Sequence, residues 1–272
     1  MNKADKGAGY IRRIFPKAAV LAAAAALPLL LSSCSMILSD NRGNYTWGWF
    51  TVSPLTSRGR ESLSFLLEGL LPTISASFIS LFISITIGII ISLAGISQNR
   101  VLKMINRIWV ETFRSIPVLV MLLWTYYGLP VSLGINLNVF TAVVIALSLC
   151  DSAFEAEIFR AGLQSIPKSQ YEAARIEGCP EFNVIRYIIM PQAVRNILPP
   201  LVNQFAYMLK ISSIASVIGF AELTRKANEL TVIQYRPLEI YTVLVLEYLV
   251  LVLIVSWVAR KIEKSLSGNA VD

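Results

Sequence analysis

Histidine is absent from this 272-residue chain, which removes imidazole as a general base or metal ligand. No Gly-x-x-x-x-Gly-Lys-Ser/Thr string occurs either, so the chain cannot hold ATP in the P-loop manner. Its three cysteines, Cys34, Cys150 and Cys179, lie far apart, with neither metal-ligand spacing nor a disulfide framework. Charge is scarce at 15%, and no internal repeat is visible. Apolar residues fill the chain instead: 55% are hydrophobic and the mean hydropathy is +0.63. That is too apolar for a soluble domain and enough for several spans of about 20 residues. The net charge of +7 forms no continuous basic face of the kind nucleic acid needs. The basic residues gather at the ends of apolar runs, as the positive-inside rule expects. The chain reads as an all-α integral membrane protein with no nucleic-acid partner.

Lys3, Lys6, Arg12, Arg13 and Lys17 precede an alanine- and leucine-rich run, Ala18 to Leu31, which ends in Leu31-Ser32-Ser33-Cys34. A basic region, a short apolar region and small residues describe a secretory signal. The ending resembles a lipoprotein signal, in which Cys34 would carry the lipid. The alternative is an uncleaved extra span with Cys34 an ordinary residue. Both place Ser39 to Arg60 outside the cytoplasm, with Trp47 and Trp49 suited to the membrane interface. The expected divisions are 1–34, a signal-like or extra transmembrane segment; 35–64, an external linker; 65–266, the membrane core; and 267–272, a cytoplasmic tail.

Uncharged runs place the core spans. Gly69 to Ile96 is the first. Gln98 to Arg107, with Arg100, Lys103 and Arg107, reads as cytoplasmic. Ser115 to Cys150 carries no charge and is too long for one span. Gly128, Pro130, Gly134, Asn136 and Asn138 divide it into a hairpin, with spans near Ile116–Leu129 and Val139–Phe159. A fourth span lies near Ile197–Phe220, interrupted at Lys210-Ile211-Ser212-Ser213. Glu222 to Glu239 reads as polar and external, and Ile240–Ala259 as the fifth span.

Between the third and fourth spans lies a structured polar segment. Ser169-Gln170-Tyr171-Glu172 has the form of a capping box. A short helix would then run to Gly178, which suits a left-handed helix end, and Pro180 suits the first position of a second helix. Helix, sharp turn and helix would present one face to the cytoplasm, which argues for a docking partner.

Glu172-Ala173-Ala174, then Gly178, then Ile188-Ile189-Met190-Pro191, resembles the coupling loop in the membrane subunits of binding-protein-dependent ATP-driven importers. Met190 stands where that loop has leucine. Glu68-Gly69, Phe113–Pro117, Ser152–Arg160, Ile166–Gln170, Pro191-Gln192-Ala193, Leu198-Pro199-Pro200 with Asn203, and Ser216–Gly219 are similar to the polar amino acid importer permeases. The likeness runs in order from about Leu63 to Leu266. It implies a five-span permease core in the bacterial cytoplasmic (inner) membrane, with an additional N-terminal signal or span. It implies a second permease subunit, identical or different, an ATP-binding subunit, and an extracytoplasmic amino-acid-binding protein. ATP and Mg are then used by the partner ATPase, and the chain itself binds no cofactor and is no enzyme. The coupling residues implied are Glu172, Ala173, Ala174, Arg175, Gly178 and Pro191. Two departures bear on substrate: Lys210-Ile211-Ser212-Ser213-Ile214 stands where the family has Lys-Asp-Thr/Ser-Ser-Leu, and Glu247 stands where it has an apolar residue.

Ionisable groups inside the spans are the candidates for the substrate path. Asp151 and Glu155 are four apart on one helix face, and Glu247 lies in the last span. Their alternative role is to bond neighbouring helices. An intramembrane lysine costs about 2.5–3.5 kcal/mol, so Lys210 should meet a partner or a wet cavity, or else snorkel to the outer interface. Ser212 and Ser213 can satisfy backbone groups freed by a helix break there. Glu157 and Arg160 share a face and are expected to pair; Arg114 is placed to anchor at headgroups. Three acids against one base favour a cationic amino acid as cargo. A passive channel or scaffold would keep the spans but has no reason for the loop spacing, and an intramembrane enzyme lacks the expected histidine and metal spacing.

Overall fold

The computed structural model describes residues 47–268, with side chains through 261. Cys34 and the signal-like segment lie outside the described residues. A 3-10 turn (Trp49–Thr51) leads to α1 (Ser57–Leu67), capped by Thr56, which accepts from Gly59 N. α2 (Leu70–Ile96) continues it, so residues 57–96 form one long helical run across the expected linker–core boundary. Asn99 caps α3 (Arg100–Ser115). The chain then bends by 96° into α4 (Val118–Leu123), a π turn (Trp124–Gly128) and α5 (Leu129–Leu133). Left-handed Gly134 ends α5, and Asn138 caps α6 (Val139–Gln164). α7 (Lys168–Ile176) and α8 (Glu181–Asn183) follow, then a second π turn (Val184–Ile189), α9 (Met190–Ile211) and a 3-10 turn (Ser212–Ile218). α10 (Leu223–Gln234) and α11 (Pro237–Gly268) complete the chain. No strand occurs among the described residues.

Four helices among the described residues are long and apolar enough to cross a membrane, and a fifth crossing arises when α3 and α4–α5 count as one bent pair. Helix extends beyond two of the expected segments. Residues 98–107 open a helix that Asn99 caps and that runs on to Ser115, and the chain turns at Pro117. The helical run that holds the expected fourth span begins well before Ile197, at Glu181, and continues to Ile218.

The seam between α2 and α6 holds the bundle. Thr73, Ser77, Ser80, Ser84, Gly88 and Ser92 recur every three or four residues along α2, and all are buried. Lipid gives little hydrophobic drive for helix pairing, so small side chains, close packing and hydrogen bonds must supply it. Ser148 Oγ donates to Ser80 O (3.2 Å) and Ser80 Oγ to Val144 O (3.4 Å). At Gly88 an added Cβ would lie 2.5 Å from Glu155 Cβ, so only glycine allows this approach.

At the outer end, α10 occupies the segment read as polar and external, yet its flanking carboxylates are fully buried. Glu222 caps α10, accepting from Thr224 N (2.8 Å), Arg225 N (2.7 Å) and Tyr248 Oη (2.9 Å). Burial raises its pKa, against the lowering effect of those hydrogen bonds. Glu239 accepts from Gly48 N (2.5 Å), which ties the chain before α1 to the start of α11. Trp47 and Trp49 stack with ring centroids 5.2 Å apart.

Candidate coupling and translocation site

α7 starts directly after Pro167 (φ −59, ψ 132), and no side chain caps it. The expected Ser169–Glu172 capping box therefore does not form. The rigid φ of Pro167 starts the helix two residues early, so Ser169 is already helical and cannot act as a non-helical cap. The far end matches the reading: Gly178 has φ 78. Cys179 N bonds Ala174 O (3.1 Å) and Gly178 N bonds Arg175 O (3.0 Å), the paired bonds of a Schellman end. Pro180 caps α8 and does not take its first position, which is Glu181. Tyr171 Oη donates to Glu181 Oε1 (2.6 Å) across the turn, a bond that raises the exposed phenol's pKa.

Ala174 is buried beneath α7, while Glu172, Ala173 and Arg175 are exposed. Large apolar and aromatic side chains accumulate around the turn: Ile176, Phe182 and Tyr187 are 86%, 67% and 67% exposed. Such a surface, mixed with charge, suits cover by another protein. Pro191 follows the second π turn. It lacks the N–H of one α-helical bond, and the widened turn just before it absorbs that loss.

Within the membrane, Asp151 joins three helices. It accepts from Ser84 Oγ on α2 (2.8 Å) and from Gln204 Nε2 on α9. Glu155 is fully buried against Gly88, and neither of its carboxylate oxygens has a hydrogen-bond partner. The two acids thus share a helix face but serve different neighbours. Lys210 is exposed at the outer end of α9, and its ammonium has no partner among the described residues. Ser212 Oγ donates to Leu209 O and Ser213 Oγ to Lys210 O, both at 2.8 Å, where α9 tightens into the 3-10 turn. Glu247 is half-buried on α11, and its Oε2 has no partner. No hydrogen bond or ion pair joins Asp151, Lys210 and Glu247 to one another among the described residues. An open groove of about 830 Å³ runs between α6 and α9, bordered by Phe154, Glu157, Arg195, Asn196 and Gln204.

The expected Glu157–Arg160 pair is not made. Glu157 accepts from Arg114, and Arg160 donates to Gln164 Oε1 (3.0 Å). α3 lies across α6 and brings Arg114 to the place a local partner would take; its guanidinium also sits 5.3 Å from the centre of the Phe154 ring. Sequence reasoning missed Ser84, Gln170, Gln192 and Gln204. The signal for Gln204 was present: an amide inside an apolar span needs a partner on another helix.

Residues 84–268 match the family described as binding-protein-dependent transport system inner membrane component. The chain is 37% identical over 207 residues to the arginine transport system permease protein ArtQ of Bacillus subtilis (strain 168), covering 76% of this chain and 94% of that one. It is 32% identical over 204 residues to the glutamine transport system permease protein GlnP of Escherichia coli (strain K12), covering 75% and 93%. Its fold is similar to a chain in a solved structure described as an amino acid ABC transporter with histidines, at 37% identity and a TM-score of 0.74, covering 81% of this chain and all of that one. With the exposed α7 turn held between membrane-crossing helices, these likenesses carry with them an ATP-binding subunit and a binding protein as partners. This chain belongs to the binding-protein-dependent transport system inner membrane components, as a multi-pass ABC importer permease subunit that leaves ATP hydrolysis to its partner.

Proposed function

We propose that this chain moves polar amino acids inward as one half of a permease dimer. The observation that carries the reading is the Gly178 turn, which holds α7 as an exposed face between spans. Glu172, Ala173, Ala174, Arg175, Gly178 and Pro191 form the seat for the ATP-binding subunit. Closure of the ATPase pair displaces α7, and the paired cores rock between outward and inward states. ATP supplies the free-energy difference between those states, since a substrate held equally by both shifts nothing.

Asn203, Tyr207, Lys210 and Val217 are exposed along membrane-crossing α9 and its 3-10 extension. Polar groups in this row are costly against acyl chains, so it faces the second permease subunit, identical or different, and the path between the two. Of the candidate path residues, Lys210 and Ser213 border that path; Asp151, Glu155 and Ser212 are buried within the bundle, and Glu247 lies on α11. Among the described residues Asp151 accepts only from neutral donors, Ser84 and Gln204, so no cation of this chain pairs with it, and a cationic cargo group that reached it would find an unpaired acid. Arginine, lysine, ornithine or histidine is then the preferred cargo. Residues 1–34 act as the signal-like or extra segment, with Cys34 the candidate lipidation site. Residues 35–64 are the external linker, 65–266 the permease core and 267–272 the tail.

Uptake of labelled arginine by the reconstituted complex tests the reading. Unlabelled lysine should compete; competition by glutamate or aspartate but not by arginine or lysine would refute a basic cargo. Purification without a co-eluting ATPase would favour a passive channel instead. An intact mass retaining Met1 would make the N-terminal run a true span.

A further inference from the structure

We infer that Gln192 is a positioning residue that registers the coupling helix α7 against membrane-crossing α9. The inference rests on the coupling reading above and adds the side chain that transmits the motion. Gln192 lies just past Pro191, where the helix has been loosened by a missing N–H and a π turn. Its carboxamide nitrogen uses both hydrogens. One goes to Ile188 O (2.8 Å), within that turn, and the other to Gln170 Oε1 (2.5 Å), on α7. One amide therefore stiffens the loosened turn and ties it to the helix that meets the ATPase.

Two further amides follow on later turns of α9. Asn196 Nδ2 donates to Ser165 Oγ (2.8 Å), at the C-terminal end of α6. Gln204 donates to Asp151 deep within the bundle. Between them Ile197 packs so closely on Gly162 that a Cβ there would lie 2.2 Å from Ile197 Cγ1. The three rungs and this contact make α6, α7 and the inner part of α9 move together. A displacement of α7 then reaches the Asp151 carboxylate through α9. Without Gln192 the rungs at Asn196 and Gln204 still tie α9 to α6, but α7 loses its own side-chain link to α9.

The experiment uses the full chain reconstituted in liposomes with its ATP-binding subunit and binding protein. It measures uptake of a tritium-labelled amino-acid mixture alongside ATP hydrolysis. Gln192→Leu should assemble and hydrolyse ATP within about twofold of the parent, while uptake per ATP falls about tenfold, as loss of one partly buried hydrogen bond allows. Gln170→Leu should lose as much, and the double variant no more than either, because both remove one shared interaction. Gln170→Glu keeps an acceptor oxygen and should retain uptake. Unchanged uptake per ATP in Gln192→Leu would overturn the inference. So would a multiplied loss in the double variant, a parallel fall of uptake and hydrolysis, or failure of both single variants to assemble. Gly178→Val separates this from the underlying reading. If that variant couples normally, the coupling reading itself fails; if it uncouples while Gln192→Leu does not, only the role of Gln192 fails.

Discussion

At the outer end, buried groups sew the elements together: Glu222 caps α10 and meets Tyr248, and Glu239 holds Gly48 at the start of α11. At the cytoplasmic end, α7 is held by Tyr171–Glu181 and Gln170–Gln192, bonds made at or near the surface. The outer groups have no alternative solvent, so breaking their bonds leaves buried polar atoms unpaired at full cost. The α7 bonds can exchange with water or with a partner. An end built the first way resists movement; an end built the second way can be displaced when another protein docks.

Gly178→Val should show the largest effect of the comparison. An added Cβ there meets nothing within 4 Å, so the damage comes from the backbone alone: φ 78 is a conformation that a β-branched residue rarely adopts. Uptake should collapse while membrane insertion stays normal, as measured by transport and by the amount of folded protein in membranes. Wild-type uptake would remove the docking role from this end.

Gly69→Ala tests the opposite end. Its Cβ would lie 2.6 Å from Leu223 N, which is backbone and cannot swing aside. Separating α10 from α2 should cost about 1–3 kcal/mol, as overpacking does. Thermal unfolding in detergent should show the loss, with uptake per ATP unchanged in whatever complex survives. A fall in coupling without a fall in stability would erase the contrast between the ends.

Glu222→Ala should be milder, about 1–2 kcal/mol for a lost helix cap. Denaturant unfolding of the purified chain checks this, and an unchanged midpoint would mean that the cap does not hold α10. The smallest effect is in pH. Burial raises the Glu222 carboxyl above its ordinary value of 4.5. Its contribution is therefore fully present below pH 4.5 and is lost as pH rises through the higher folded value. Parent stability should decline across that window, and Glu222→Gln should flatten the slope; an equal slope in both proteins would assign the pH dependence to other groups.

Much of the cytoplasmic end was legible because its determinants are local. The left-handed turn at Gly178 follows from a glycine after a short polar helix, and its bonds reach back only to Ala174 and Arg175. The start of α7 was misread because two local signals competed, and Pro167 acted before Ser169 could. The spacing of Asp151 and Glu155 put them on one face of α6. Their surroundings were not legible: Ser84 is 67 residues from Asp151 and Gln204 is 53. The burial of Glu222 and Glu239 was hidden for a related reason. A carboxylate in a polar segment looks solvated until helices from elsewhere in the chain cover it.

The amino-acid sequence by itself determined that the chain is helical, that it lives in a membrane, that turns fall at Gly134 and Gly178, and that a polar helix and turn lie between its spans. Those properties come from apolar runs, caps and glycines acting over a few residues. Only the tertiary structure decided that Arg114, not Arg160, meets Glu157, that Asp151 binds three helices while Glu155 faces a glycine, and that Gln192 joins α7 to α9. In hydrocarbon a polar side chain gains from a partner, and the packed helices decide which one it meets or, as at Glu155, that it meets none. That choice depends on close approach between segments far apart in sequence, set here by the small-residue seam of α2 and by the 96° bend after α3.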